Sequence, residues 1–167
     1  MTILNILQYP DPRLAQPAEK VEDFGPRTQT IIDDLFETHY AQENCAALAA
    51  TQLGILLHIT VIDFSETKDQ PLCLVNTKLS DPQGLTNQPE GCMSVAGVYE
   101  KVKRAETIQV DAQDRHGNAL SFRADGFMAK CIQHEIDHLH GKLFLDHLSS
   151  MKRSIANRRI AKYKRGQ

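Results

Sequence analysis

Tryptophan is missing from this 167-residue chain, and aromatic residues make up only 6% of it. A core with so few rings has to be built from Leu, Ile, Val and Ala. Long apolar runs are also missing. The longest, Leu53 to Phe64, is interrupted by His58 and Asp63, whereas a membrane-spanning helix needs about 20 apolar residues. No membrane segment is expected. Nor does the start read as a cleavable leader. Met1-Thr2-Ile3-Leu4-Asn5 lacks a basic stretch, and Tyr9-Pro10-Asp11-Pro12 breaks the apolar segment that would follow. The four cysteines, at 45, 73, 92 and 131, show no paired spacing. Free thiols or metal ligands in a cytoplasmic protein are therefore expected, not disulfides. Repeats and low-complexity linkers are absent too. With 41% hydrophobic and 24% charged residues the composition excludes a disordered chain. One domain of ordinary size is left.

One region combines many bases with no acid. Residues 149–167 hold seven bases (Lys152, Arg153, Arg158, Arg159, Lys162, Lys164 and Arg165) and no acid. The preceding 148 residues hold 12 bases against 21 acids, a net charge of −9. An acidic body with a basic tail suggests a localised contact with a polyanion. Beyond Tyr163 no aromatic residue interrupts the bases, so base stacking is not indicated.

What is present reads as mixed secondary structure. The turn-rich segment from Tyr9 to Leu14 opens a short helix. After Gly25-Pro26, the spacing of Ile31, Ile32, Leu35, Phe36, His39 and Tyr40 predicts an amphipathic helix over 27–41. Alternation marks strands at Leu57/Ile59/Val61, Ile108/Val110/Ala112 and Leu120/Phe122/Ala124, and Leu72 to Val75 is a short apolar run. Turns are predicted at Asp81-Pro82-Gln83-Gly84 and at Arg115-His116-Gly117-Asn118, the second closing a hairpin. Over 126–140 the period becomes helical again, with Asp125 as N-cap and Gly141 as stop. A last helix over about 149–165 carries the bases. The fold expected is α+β: mixed, mostly antiparallel strands around a central metal-binding helix, with helices at both ends.

The sharpest local signal is His134-Glu135-Ile136-Asp137-His138. On a helix, positions i and i+4 share one face, so both imidazoles can reach a single ion, with the glutamate between them placed to handle the proton of a bound water. Chance alone gives this pattern roughly 0.015 times in such a chain. Two imidazoles make a weak site, so a third ligand is needed. The long zinc-peptidase motif would place a histidine where Phe144 stands, and no glutamate follows Glu135. The third ligand must then lie upstream. Cys92, in Glu90-Gly91-Cys92-Met93-Ser94, would complete a Cys/His/His set. Cys131, one helical turn before His134, is the rival, although its surroundings suit a small core residue. His140 projects about 200° away from His138 and is rejected as a ligand.

Together, three segments resemble the peptide deformylases. Gln133-His134-Glu135-Ile136-Asp137-His138-Leu139 matches the histidine motif of that family, and Glu90-Gly91-Cys92-Met93-Ser94 matches its cysteine motif, with Met for the usual Leu. The segment from Cys45 to Gly54 loosely matches the first motif; the opening Ile6 to Leu14 and Gly141 to Asp146 are also similar. The resemblance implies a metal-dependent hydrolase that removes the N-formyl group from the initiator methionine of newly made polypeptides. It implies Cys92, His134 and His138 as ligands of one divalent ion, Fe²⁺ in the cell, with Zn²⁺, Ni²⁺ or Co²⁺ able to substitute. Glu135 would act as general base and acid. Gln52 (side-chain amide) and Met93 (backbone N–H) would stabilise the oxyanion. Substrate would lie extended beside Cys45, Ala46 and Ala47 and beside 93–98, near Gly91, its methionine against Phe127, Cys131 and His134.

The resemblance further implies residues 1–148 as the catalytic domain, 149–167 as its basic helix or tail, ribosomal RNA as a partner of that tail, and a monomer. Asp137 is a candidate to orient a ligand imidazole, or is solvated; Arg104 is a candidate to brace Glu90. Three positions depart from the family pattern: Cys45-Ala46-Ala47 replaces Gly-x-Gly, Ala96 replaces Pro, and Lys130 replaces an apolar residue. A divergent paralogue with shifted substrate preference and a metallopeptidase are the alternative readings.

Overall fold

A computed structural model describes residues 2–167. Helix α1 (Pro26–Tyr40), strands β1 (Ala47–Ala49), β2 (Ile59–Ile62), β3 (Leu72–Gln83), β4 (Thr86–Cys92), β5 (Val95–Arg104), β6 (Thr107–Gln113) and β7 (Ala119–Asp125), and helices α2 (Gly126–Leu139) and α3 (Ser150–Arg165) follow in chain order. Short 3-10 turns lie at Pro12–Ala15, Ala50–Leu53 and Phe144–His147. The result is an α+β fold. Five strands form an antiparallel sheet in the order β1-β2-β3-β6-β7, and β4 and β5 form a separate two-stranded sheet.

The predicted periodicities become two apolar layers. Every residue of β2 is buried: Ile59 and Val61 pack with Ile32 and Leu35 of α1, and Ile62 faces the α2 side. Ala129, Ile132, Ile136 and Leu139 of α2 cover the other face, against Leu74, Ile108, Val110 and Ala124. Burial of each large aliphatic side chain contributes about 1.5–3 kcal/mol, so this packing fixes α2 against the sheet. A third cluster joins Val95, Val98 and Val102 of β5 to Phe144 and to Ala156 and Ile160 of α3.

Helix α2 stops as its sequence predicts. Gly141 takes φ +78°, Lys142 N–H bonds Asp137 O at 2.8 Å and Gly141 N–H bonds His138 O at 3.0 Å, which is a Schellman end. A Cβ at Gly141 would lie 2.5 Å from the Ala15 carbonyl oxygen, so this close approach also demands glycine. Asp125 is the N-cap residue, but its side chain makes no capping bond. At α3, Ser149 Oγ does cap, accepting from Lys152 N–H at 3.3 Å.

Two features differ from the sequence reading. The turn at Asp81-Pro82-Gln83-Gly84 is displaced. Strand β3 continues to Gln83 through a register shift between Ser80 and Gln83, and the chain reverses at Gly84-Leu85. Arg123 explains the extension: it donates to the Asp81 carboxylate at 2.9 Å and to its carbonyl oxygen at 2.7 Å, tethering the end of the strand. The β4–β5 hairpin is the second, pairing segments whose sequence carries no clear strand alternation.

Candidate metal centre

Residues from separate segments converge in one place. Helix α2 carries His134, Glu135 and His138 on its inner side, all buried. The end of β4 supplies Glu90, Gly91 and Cys92, where a register shift between Glu90 and Cys92 interrupts the pairing with β5. Such an irregularity re-aims side chains. The 3-10 turn after β1 supplies Gln52, also buried.

Cys92 Sγ lies 3.3 Å from His138 Nε2, and His138 Nε2 lies 3.2 Å from His134 Nε2. All three donor atoms fall within 4.8 Å of one another. A tetrahedral site with bonds of about 2.0–2.3 Å sets its N and S donors roughly 3.3–3.6 Å apart. The observed triangle therefore fits one small divalent ion. Charge fits as well. Burial opposes charge on His134, yet hydrogen bonding to Cys92 and Glu90 outweighs it and lifts the ring to about 10; the anionic groups around it favour a cation, and a metal ion would take the place of the Nε2 proton. Burial, then the neighbouring His134, keeps His138 well below the ordinary imidazole range, leaving a neutral ring with a lone pair to offer.

An ion-pair network holds this triangle. Burial alone would raise the Glu90 carboxyl, but Arg104 and His134 hold it at about 2. The ionised carboxylate accepts from His134 Nδ1 at 2.8 Å, which leaves Nε2 facing the triangle. Arg104 grips Glu90 with two hydrogen bonds of 2.9 Å and reaches Asp137 at 2.5 Å, and Asp137 contacts His147 Nε2 at 2.8 Å. The Arg104–Glu90 pair is thus present. Asp137 does not orient either histidine directly; it anchors Arg104. Glu90 is the residue that orients His134, a role the sequence reading missed because nothing local links positions 44 apart. Gln133 clamps the Ala105 backbone, accepting at 3.0 Å and donating at 2.9 Å.

Glu135 Oε2 is buried without a hydrogen-bond partner, and burial pushes the carboxyl up to about 7. Gln52 Oε1 accepts from Ala49 N–H at 2.9 Å, which turns Nε2 towards Ser94 Oγ at 3.0 Å and Cys92 Sγ at 3.6 Å. The next peptide is pinned at both ends: Met93 O accepts from Gln8 at 2.7 Å, and Ser94 N–H approaches Cys92 Sγ at 3.4 Å.

These groups open onto a cleft of about 460 Å³. Cys45, Ala46, Ala47, Gly91, Phe127 and Cys131 line it. So do Gln52, Cys92, Met93, His134 and Glu135; His138 lies behind them. Cys131 is outside the donor triangle, and burial pushes its thiol up to about 12. His140 faces His58 instead, ring centres 6.0 Å apart. Gly97 on the β5 wall takes φ +86°, and a Cβ there would lie 2.9 Å from the Tyr163 side chain of α3.

An α+β fold with this donor triangle and a buried glutamate beside it defines a metallohydrolase architecture. Residues 3–154 match the family described as polypeptide deformylase. Peptide deformylase 1 of Coxiella burnetii is 57% identical over 166 residues, covering 98% of each chain. The crystal structure of a peptide deformylase from Legionella pneumophila superposes with a TM-score of 0.94 at 43% identity, over 98% of this chain and 96% of that one. That of peptide deformylase from Ehrlichia chaffeensis in complex with actinonin gives 0.90 at 37% identity, over 100% and 99%. The chain belongs to the polypeptide deformylase family.

Proposed function

We propose that this protein hydrolyses the N-formyl group from the initiator methionine of newly made polypeptides, with Cys92, His134 and His138 holding one divalent metal ion. The observation that carries the reading is the donor triangle of Cys92, His134 and His138 sharing a cleft with an unpartnered, buried carboxylate. When bound, such an ion supplies a Lewis acid that makes water ionise near neutrality. The rest is the work of the chain's own groups. Glu135 accepts the proton of the attacking water as its oxygen bonds the formyl carbon. It then delivers that proton to the departing methionine nitrogen as the C–N bond breaks, leaving formate and a free amine. A carboxyl poised at about 7 can do both. The Gln52 side-chain amide and the Met93 N–H donate to the formyl oxygen as it gains negative charge.

Substrate lies extended between Cys45-Ala46-Ala47 and the start of β5, held by backbone pairing, with Gly91 beside it and its methionine against Phe127 and Cys131. Fe²⁺ is the proposed cellular ion, and Zn²⁺, Ni²⁺ or Co²⁺ suit the same donors. We read residues 1–148 as the catalytic unit and 149–167 as its basic helix, which contacts ribosomal RNA. A monomeric, cytoplasmic enzyme suits this reading; among the described residues no helix is long and apolar enough to cross a membrane.

The test is formate release from formyl-Met peptides by anaerobically purified protein. Glu135→Ala is expected to keep stoichiometric metal and lose about 10²–10⁴ in kcat. Near-normal turnover in that variant would refute the proposed proton path.

A further inference from the structure

Lys130 stands apart in the cleft. Among the described residues that line it, Lys130 is the one Lys or Arg, and its charged companions are Glu43, Glu90, Glu135 and the histidine of the site. Glu90 is taken up by Arg104 and His134, Glu135 is buried, and Glu43 is exposed at the rim. Lys130 itself takes part in none of the ion pairs formed among the described residues. Its Nζ donates to the Pro89 carbonyl oxygen at 3.1 Å and sits 5.0 Å from the centre of the Phe127 ring. Both partners are neutral. They hold the stem across one end of the cleft, from α2 to β4, and leave the charge uncompensated.

The position of that charge matters. Lys130 and His134 are four residues apart on α2, hence on one helical face and separated by about 6 Å along the axis. In an extended peptide, alternate side chains return to the same face after about 6.8 Å. A chain whose first side chain lies along His134 and Cys131 brings its third side chain back onto this wall, one helical turn away.

We propose that Lys130 is a specificity-determining residue that favours an acidic side chain at the third position of the formylated chain. This rests on the deformylase reading and adds a substrate preference to it. The ammonium attracts a carboxylate at position 3 and repels a cation there, while the side chain at position 2 faces away from the α2 wall. The discrimination is made equally in the ground and transition states, so it appears in KM.

The experiment measures formate release by metal-loaded protein from C-terminally amidated formyl-Met-Ala-Glu, formyl-Met-Ala-Gln and formyl-Met-Ala-Lys, and from a matching set varied at position 2. At about 50 mM salt, kcat/KM for Glu over Lys at position 3 is expected to be about fivefold, a size typical of partly exposed charge pairs. At about 1 M salt the ratio falls towards one. Lys130→Arg keeps the ratio, Lys130→Met brings it near one, and Lys130→Glu inverts it. A ratio near one in the unaltered protein, a ratio unmoved in Lys130→Met, or a preference confined to position 2 would each overturn the assignment. If the Gln peptide releases formate without any charge preference, only this inference fails. If no peptide releases formate, the deformylase reading fails and this inference fails with it.

Discussion

Helices α2 and α3 are nearly equal in length, 14 and 16 residues, yet α2 buries eight side chains and α3 only two. Both are rich in polar groups. On α2 three of those groups are matched to partners far away in sequence: His134 to Glu90, Asp137 to Arg104, Gln133 to Ala105. On α3, Arg158, Arg159, Lys162 and Arg165 project into solvent. The same kinds of side chain therefore carry very different weight. An enclosed charge stripped of its partner is costly, whereas a solvated one loses little.

The sharpest way to break this contrast is at Arg104. Replacing it with Met leaves the buried Glu90 carboxylate with the His134 ring as its remaining partner, and a loss of about 3–5 kcal/mol in unfolding free energy is expected from urea melts. Adding Glu90→Leu to Arg104→Met should recover part of that loss, because the stranded charge is then gone. On the proposal that the Gln52 amide donates to the formyl oxygen, Gln52→Ala should lower kcat for formate release by about 10²–10³. Chelation tests the donor triangle without mutation. Holding an ion at about 1,000 times its Kd stabilises the fold by about 4 kcal/mol. Removing it should lower Tm, re-adding Zn²⁺ should restore it, and Cys92→Ser should show little of either change. At the opposite extreme, Arg158→Ala with Arg159→Ala should move stability by no more than about 0.5 kcal/mol per site. Salt-sensitive association with ribosomes should weaken in the same protein. A large stability loss there would erase the distinction between the two helices.

The contrast also governs what could be read in the chain. Periodicity exposed α1, α2, β6 and β7, because each places one face on a core and the period survives in the residues; β2, buried on both faces, showed only through the spacing of Ile59 and Val61. Gly141 announced the end of α2, since both its positive φ and the nearby Ala15 carbonyl exclude a side chain. The β4–β5 hairpin left no such trace. Thr86 to Cys92 includes Pro89 and buries only Glu90, and Val95, Val98 and Val102 recur without a period of two. The chemistry of the candidate site was legible where it is local, in the histidine pair and the glutamate between them. Cys92 was legible through its flanking motif. The pairing of Glu90 with His134 was not, because two segments 44 residues apart meet only once the core has formed. For Asp137 the sequence leaves two roles open, orienting a ligand imidazole or facing solvent; the helix turns it outward to Arg104 and His147.

Gly97 ties the fate of one helix to the other's cleft. The Tyr163 side chain occupies the volume that any larger residue at 97 would claim, so position 97 answers to two demands at once, its torsion and its neighbour's bulk. A shortened chain ending before Tyr163 would lift the second demand and keep the first. Drift at these two positions should then be correlated among sequences that retain the final helical turn, and uncoupled in those that have shed it.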